Sequence, residues 1–235
     1  MHARGGRVIK PEILDTLAPE EAQASLRDLT RINRRWGGYS TLRRLLAEVV
    51  TREETFSLLD VGAASGDMGE KIQEWYPGAR VISLDRIPSH LPARGARVAG
   101  DAFSLPFGAK SVDFVFCSLF LHHFSNEAIV QLLREFWRLA RRSVLAIDLA
   151  RHPVPYYFLP WTRWIFGWNR VTVHDGPISV EAAFRPAELE ELARRAGLGS
   201  ARARAYYPAF RIALRARPEE GLWRGTLSYN STGGE

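Results

Sequence analysis

The sequence is poor in several things, and each shortage removes a class of protein. It has a single cysteine, Cys117, so no disulfide framework and no cysteine-built zinc site can form. One thiol in a chain of this size suits a reducing compartment, and the expected location is the cytoplasm. Lysine is scarce: Lys10, Lys71 and Lys110 are the only three among 32 basic residues. The arginines that make up the rest are scattered singly or as doublets such as Arg34-Arg35, with no basic run of the kind that marks a nucleic-acid arm. Long apolar runs are missing too. The most apolar stretch, "YYFLPWTRWIFGW", is too short to span a bilayer and is interrupted by Pro160 and Arg163. The start, "MHARGGRVIKPEIL", lacks the apolar centre of a signal peptide.

What is present is an ordinary globular composition, 46% hydrophobic over 235 residues, with a net charge of +6. Residues 1–50 read as a helical cap. "PEEAQASLRDLTRINRRW" puts Ala22, Leu26, Leu29 and Ile32 on one face, Gly37-Gly38 stops it, and "YSTLRRLLAEVV" resumes with Ser40 as N-cap. Residues 51–217 then alternate short apolar runs with amphipathic ones. "SLLDVG", "ARVISLD", "ARVAGDA", "SVDFVFCSLF" and "SVLAIDL" read as buried parallel strands. "DMGEKIQEWYPG", "NEAIVQLLREFWRLARR" (capped by Ser125 or Asn126) and "RPAELEELARRAGL" read as helices, and "ARARAYY" with "FRIALRAR" as a closing antiparallel pair. Residues 151–180 break the rhythm as an irregular aromatic insertion, and residues 218–235 read as a flexible tail.

The chemistry lies at the strand ends. In an open parallel sheet a ligand binds beyond the carboxyl ends of the strands. The loop "DVGAASG" after the first strand lacks the lysine of a phosphate-binding loop and fails the GxGxxG spacing. Asp60 before it would repel a pyrophosphate and suits a cation. Asp85 follows Gly66 by 19 residues and ends the second strand, where a carboxylate accepts from ribose hydroxyls. Asp101, after the third strand, is placed to accept from an exocyclic amine. Three carboxylates at three successive strand ends describe an adenosine carrying a positive charge and no phosphate.

Asp60-Val61-Gly62-Ala63-Ala64-Ser65-Gly66, with Asp85, "GDA" at 100–102 and "SLFLHHF" at 118–124, resembles the class I S-adenosylmethionine-dependent methyltransferases. The resemblance covers roughly Leu58 to Gly197; Ala64 stands where the family's loop has its middle glycine. It implies a Rossmann-like α/β fold: a mostly parallel seven-stranded sheet with helices on both faces, beneath the N-terminal helical cap. It implies S-adenosylmethionine as cofactor. The Gly62–Gly66 backbone, Ala64 included, would pass its methionine part, Asp85 would hold its ribose, Asp101 and Ala102 would contact its adenine, and Ser118 would lie near the methionine; Asp60 and Arg86 complete the expected cofactor-binding set. A softer similarity, carried by "RDLTRIN" and "HDGPIS…AF.P.EL", points to small bacterial methyltransferases of quinone-like and polyketide products.

The expected reaction is O-methylation of a phenolic, enolic or pyrone-like natural product, with C-methylation of a quinone-type ring as the rival and a non-catalytic cofactor-binding module as the alternative outside enzymes. His123 and His174 are the candidate bases, and Asp148 would either orient a histidine or only cap the loop. Tyr39, His122, His152, Tyr156 and Trp161 are candidate acceptor-binding residues. Trp161, Trp164 and Trp168 fall at i, i+3, i+7, the spacing of one helix face over a flat aromatic or polyketide-like acceptor. No metal and no nucleic acid is expected, and the chain is expected to be a monomer or homodimer.

Overall fold

A computed structural model describes residues 5–217; the tail expected at 218–235 lies outside the described residues. The strands are β1 (Phe56–Val61), β2 (Ala79–Asp85), β3 (Ala96–Ala99), β4 (Val112–Ser118), β5 (Ala140–Leu149), β6 (Arg202–Tyr206) and β7 (Arg211–Ala216). They form one seven-stranded sheet in the order β3-β2-β1-β4-β5-β7-β6. All neighbours are parallel except β7, which runs against both β5 and β6. The helices are α1 (Pro19–Arg35), α2 (Gly38–Ala47), α3 (Asp67–Trp75), α4 (Asn126–Leu139), α5 (Pro153–Phe166), α6 (Arg170–Ala182) and α7 (Pro186–Arg195). The expected α/β architecture is the one found.

Strand alternation explains why both faces are covered. Leu59, Val61, Val115 and Cys117 point to one side, into a core shared with α4 and α7. Their neighbours Leu58, Phe114 and Phe116 point to the other, into a core closed by α2 and α3. Leu42, Leu45 and Leu46 of α2 are part of that second core, so α2 is built into the sheet's packing. Chain order turns back between β1 and β4, and the loops after these two strands open there together.

Two local readings are corrected. Ser40 does not cap α2: the helix starts at Gly38 from Gly37 in the left-handed region, and the Ser40 hydroxyl lies inside the first turn, donating to Gly37 O. Residues 151–180 are not irregular but form α5 and α6, joined by a short corner. Prolines 153 and 155 sit in the first turn of α5, where a missing N–H costs nothing. His152 caps α5 through Nδ1, which accepts from Val154 N, and Asn169 caps α6 by accepting from Val171 N. Gly167, in the left-handed region, ends α5. Trp168 therefore leaves the helix of Trp161 and Trp164 and turns back inside, its Nε1 donating to Thr162 Oγ1 and its ring 5.3 Å from that of Trp36.

Candidate active site

A cavity of about 730 Å³ lies at the carboxyl ends of β1, β2, β4 and β5, within the usual size of ligand sites, ~300–1,000 Å³. One end is polar and formed by the strand-end loops. The other is apolar, bounded by Leu26 and Leu29 of α1, Trp36 just past its end, Phe158 and Leu159 of α5, and Phe210.

At the polar end the glycine loop is shaped by contact. A side chain on Gly62 would come within 2.4 Å of the Phe120 ring, and one on Gly66 within 2.8 Å of Pro92; both have positive φ. Ala64 adopts φ +45 despite its Cβ, a conformation that costs roughly 1–2 kcal/mol. Its N–H donates to Asp85 Oδ2 at 3.0 Å, and Ile87 N donates to Oδ1 of the same carboxylate at 2.9 Å. Asp85 thus fixes the loop at the end of β2.

Asp60 is fully buried under this loop. Burial, then Asp67 and Asp85, push its carboxyl well above the ordinary carboxylate range. Asp60 Oδ2 and Ser118 Oγ are buried side-chain atoms without a hydrogen-bond partner in the protein, and both residues line the cavity. A buried acceptor among three carboxylates is relieved by a cation, and an orphaned hydroxyl by a polar ligand group. The residues therefore fit a cationic, phosphate-free nucleoside such as S-adenosylmethionine. Arg86, Asp101 and Ala102 border the same end, Asp101 Oδ1 accepting from Phe103 N at 2.9 Å. Eight of the nine residues expected at the cofactor line the cavity; Gly66 is outside the lining, and Asp85 already serves the loop.

Where the polar and apolar ends meet stands a buried charged cluster. His122 lies in the 3-10 turn Leu121–His123 after β4. Its Nδ1 is 2.6 Å from Asp148 Oδ1 at the end of β5, and its Nε2 is 3.5 Å from Glu12 Oε1. Burial disfavours an imidazolium here, but Asp148 and then Glu12 outweigh it, and the His122 pKa is raised to about 10. The two carboxyls are lowered in return, against burial, chiefly by His122. Ser179 Oγ of α6 donates to Glu12 Oε1 at 2.6 Å. The His123 ring lies 4.2 Å from that of His122 and also lines the cavity. Glu12, His122 and His123 hold ligand atoms within 4.8 Å of one another, close enough to share a metal ion. The sequence reading foresaw no metal and did not foresee this grouping.

Glu12 was not foreseen. It arrives on residues 7–14, which cross the cavity as a strap. Arg7 donates to Ala182 O, and to His122 O and Phe124 O. Ile13 N and Leu14 N donate to the Asp175 carboxylate. Nothing in "KPEIL" signals this, because its partners lie more than a hundred residues away.

Of the other candidates, Tyr39 donates its hydroxyl to Asp67 Oδ2 at 3.0 Å. His174 Nδ1 is 2.8 Å from Asp175 Oδ1, with the imidazole half exposed. His152 is engaged as the α5 cap and packs on Phe210. Tyr156 packs edge-on to Tyr157, and Trp161 stands in solvent on the outer face of α5. None of these five side chains lines the cavity; its aromatic wall comes from Trp36, Phe120, Phe124, Phe158 and Phe210.

Residues 59–147 match the family described as a methyltransferase domain. The chain is similar to demethylmenaquinone methyltransferases of Roseiflexus castenholzii (29% identical over 118 residues, 46% of this chain and 48% of that one) and Roseiflexus sp. strain RS-1 (28% over 159 residues, 59% and 66%). It thus spans about half to two thirds of these relatives' length. Among solved structures it is similar to the plantazolicin methyltransferase BpumL in complex with SAH (TM-score 0.61, 14% identity, 86% of this chain and 91% of that one). It is also similar to an S-adenosylmethionine-dependent methyltransferase of Aquifex aeolicus (TM-score 0.51, 16% identity, 74% and 88%). This sheet order, this loop and the domain match over residues 59–147 together support a class I S-adenosylmethionine-dependent methyltransferase.

Proposed function

We propose that this protein transfers a methyl group from S-adenosylmethionine to the oxygen of a small phenolic, enolic or pyrone-like acceptor held in the apolar half of the cavity. The observation that carries this reading is the His122 cluster at the junction of the two halves. When bound, the cofactor supplies an electrophilic methyl on a cationic sulfur. The chain's own residues align the acceptor and set its charge. Trp36, Phe158 and Leu159 form an apolar wall that suits a flat ring and excludes water.

His122, held as an imidazolium by Asp148 and Glu12, favours a negative charge beside it. An acceptor hydroxyl placed there ionises more readily. His123 is the group we assign to take that proton. His122 itself is a poor base, being already protonated near neutral pH. The names of the two Roseiflexus relatives favour a second reading, C-methylation of a quinone-type ring. The same cluster would then stabilise the hydroquinone oxyanion that activates the ring carbon.

Calorimetric titration with S-adenosylmethionine, followed by turnover on a panel of phenols, pyrones and hydroquinones, tests the proposal. Product mass spectrometry separates O- from C-methylation. Absence of cofactor binding at millimolar concentration would falsify the enzyme reading. Tight binding without turnover of any member of the panel would favour a cofactor-binding module.

A further inference from the structure

α5 has two working faces. Pro155, Phe158 and Leu159 line the cavity. The outer face carries Tyr157, Trp161, Trp164 and Ile165, spaced by three and four residues so that they form one stripe. These side chains stand in solvent: Trp161 is 75% exposed, Trp164 82% and Ile165 74%. Among the described residues their ring contacts are with one another, with Tyr156 and with a neighbouring arginine. Tyr157 and Trp161 stack at 5.2 Å, and the Arg163 guanidinium lies 4.0 Å over the Trp164 ring.

We infer that this outer face of α5 binds the surface of an anionic phospholipid bilayer. Three observations select that occupant. The first is residue type: two tryptophans and a tyrosine beside aliphatic residues are the side chains that settle at the lipid–water boundary. The second is charge. Between Asp148 and Asp175 the sequence has no acidic residue, while Arg163 and Arg170 are exposed there, on a chain of net charge +6. A basic rim around an apolar strip matches acidic headgroups. The third is size. A helix of 14 residues is about 21 Å long, and a strip about 10 Å wide on it offers roughly 200 Å². A stable dimer needs ~800 Å² from each partner, whereas an interfacial helix needs only a shallow apolar strip. No helix among the described residues is long and apolar enough to cross a membrane, so α5 would lie in the plane of the interface. The inference stands apart from the methyl-transfer reading, although a bilayer docked here would be separated from the cavity by a single helix.

Sedimentation of the full chain with vesicles tests it, using phosphatidylcholine alone and a 3:1 mixture with phosphatidylglycerol. Binding to the mixed vesicles is expected, with weakening at high salt and on Arg163→Glu. The double variant Trp161→Ser/Trp164→Ser should bind at least about tenfold more weakly. Its unfolding midpoint should match the parent protein, since these side chains are exposed. Three outcomes would overturn the inference: no binding to either vesicle, equal binding to both, or a double variant that binds like the parent. A parent dimer that the double variant dissociates in sedimentation velocity would assign the face to a second copy instead.

Discussion

His122 Nδ1 stands 2.6 Å from Asp148 Oδ1 in a site closed to solvent, and the Glu12 carboxylate faces the other side of the same ring. This pair links the ends of β4 and β5 and stands where the polar half of the cavity meets the apolar half.

The pair should be visible in the pH dependence of stability. The His122 pKa is raised from 6.5 to about 10, so its contribution is full below pH ~6.5 and is lost as pH rises through about 10. Asp148 and Glu12 are lowered, so theirs is present above the ordinary carboxylate range and lost on acidification. Thermal unfolding from pH 5 to 10 should therefore show a declining alkaline limb. That limb should flatten in His122→Gln. Asp148→Asn should destabilise at neutral pH by about 3–5 kcal/mol, as expected for half of a buried pair. An unchanged alkaline limb in His122→Gln would assign it to other groups.

Asp85 holds the glycine loop through Ala64 N and Ile87 N and is expected to hold the ribose as well. Asp85→Ala should weaken S-adenosylmethionine binding by about 10- to 100-fold, the loss of charge-assisted hydrogen bonds. Calorimetry measures it directly; parent-like affinity would remove Asp85 from the site.

With an acceptor in hand, His123→Ala should lower kcat by ~10²–10³ if it takes the proton, with cofactor affinity intact. Glu12→Gln removes one of the two charges that hold His122 protonated and should lower kcat less. His174→Ala makes the third comparison; its half-exposed imidazole lies outside the cavity lining, so the smallest loss of the three is expected there. Full turnover of His123→Ala would mean the acceptor ionises without a protein base.

The loop glycines, the strand-end acids and the strand positions could all be read in the sequence. Phe114 and Val115 alternate faces because a pleated strand must, and Gly62 is glycine because Phe120 leaves no room for a Cβ. α5 and α6 were missed because prolines 153, 155, 160 and 177 suggest irregular chain. The first two fall where a helix needs no N–H, and the caps His152 and Asn169 are ordinary polar residues until their partners are in place. Trp161, Trp164 and Trp168 kept helical spacing across a glycine that ended the helix.

By itself the sequence determined the sheet, its crossover helices and the polar half of the cavity, because those depend on neighbours a few residues apart. The tertiary structure alone decided that Glu12 closes the His122 cluster, that Asp175 ties down the strap, and that Trp161 faces solvent while Phe158 faces the cavity. Each of these depends on which distant segment packs against which face, and periodicity shows that a helix has two faces without showing what covers either.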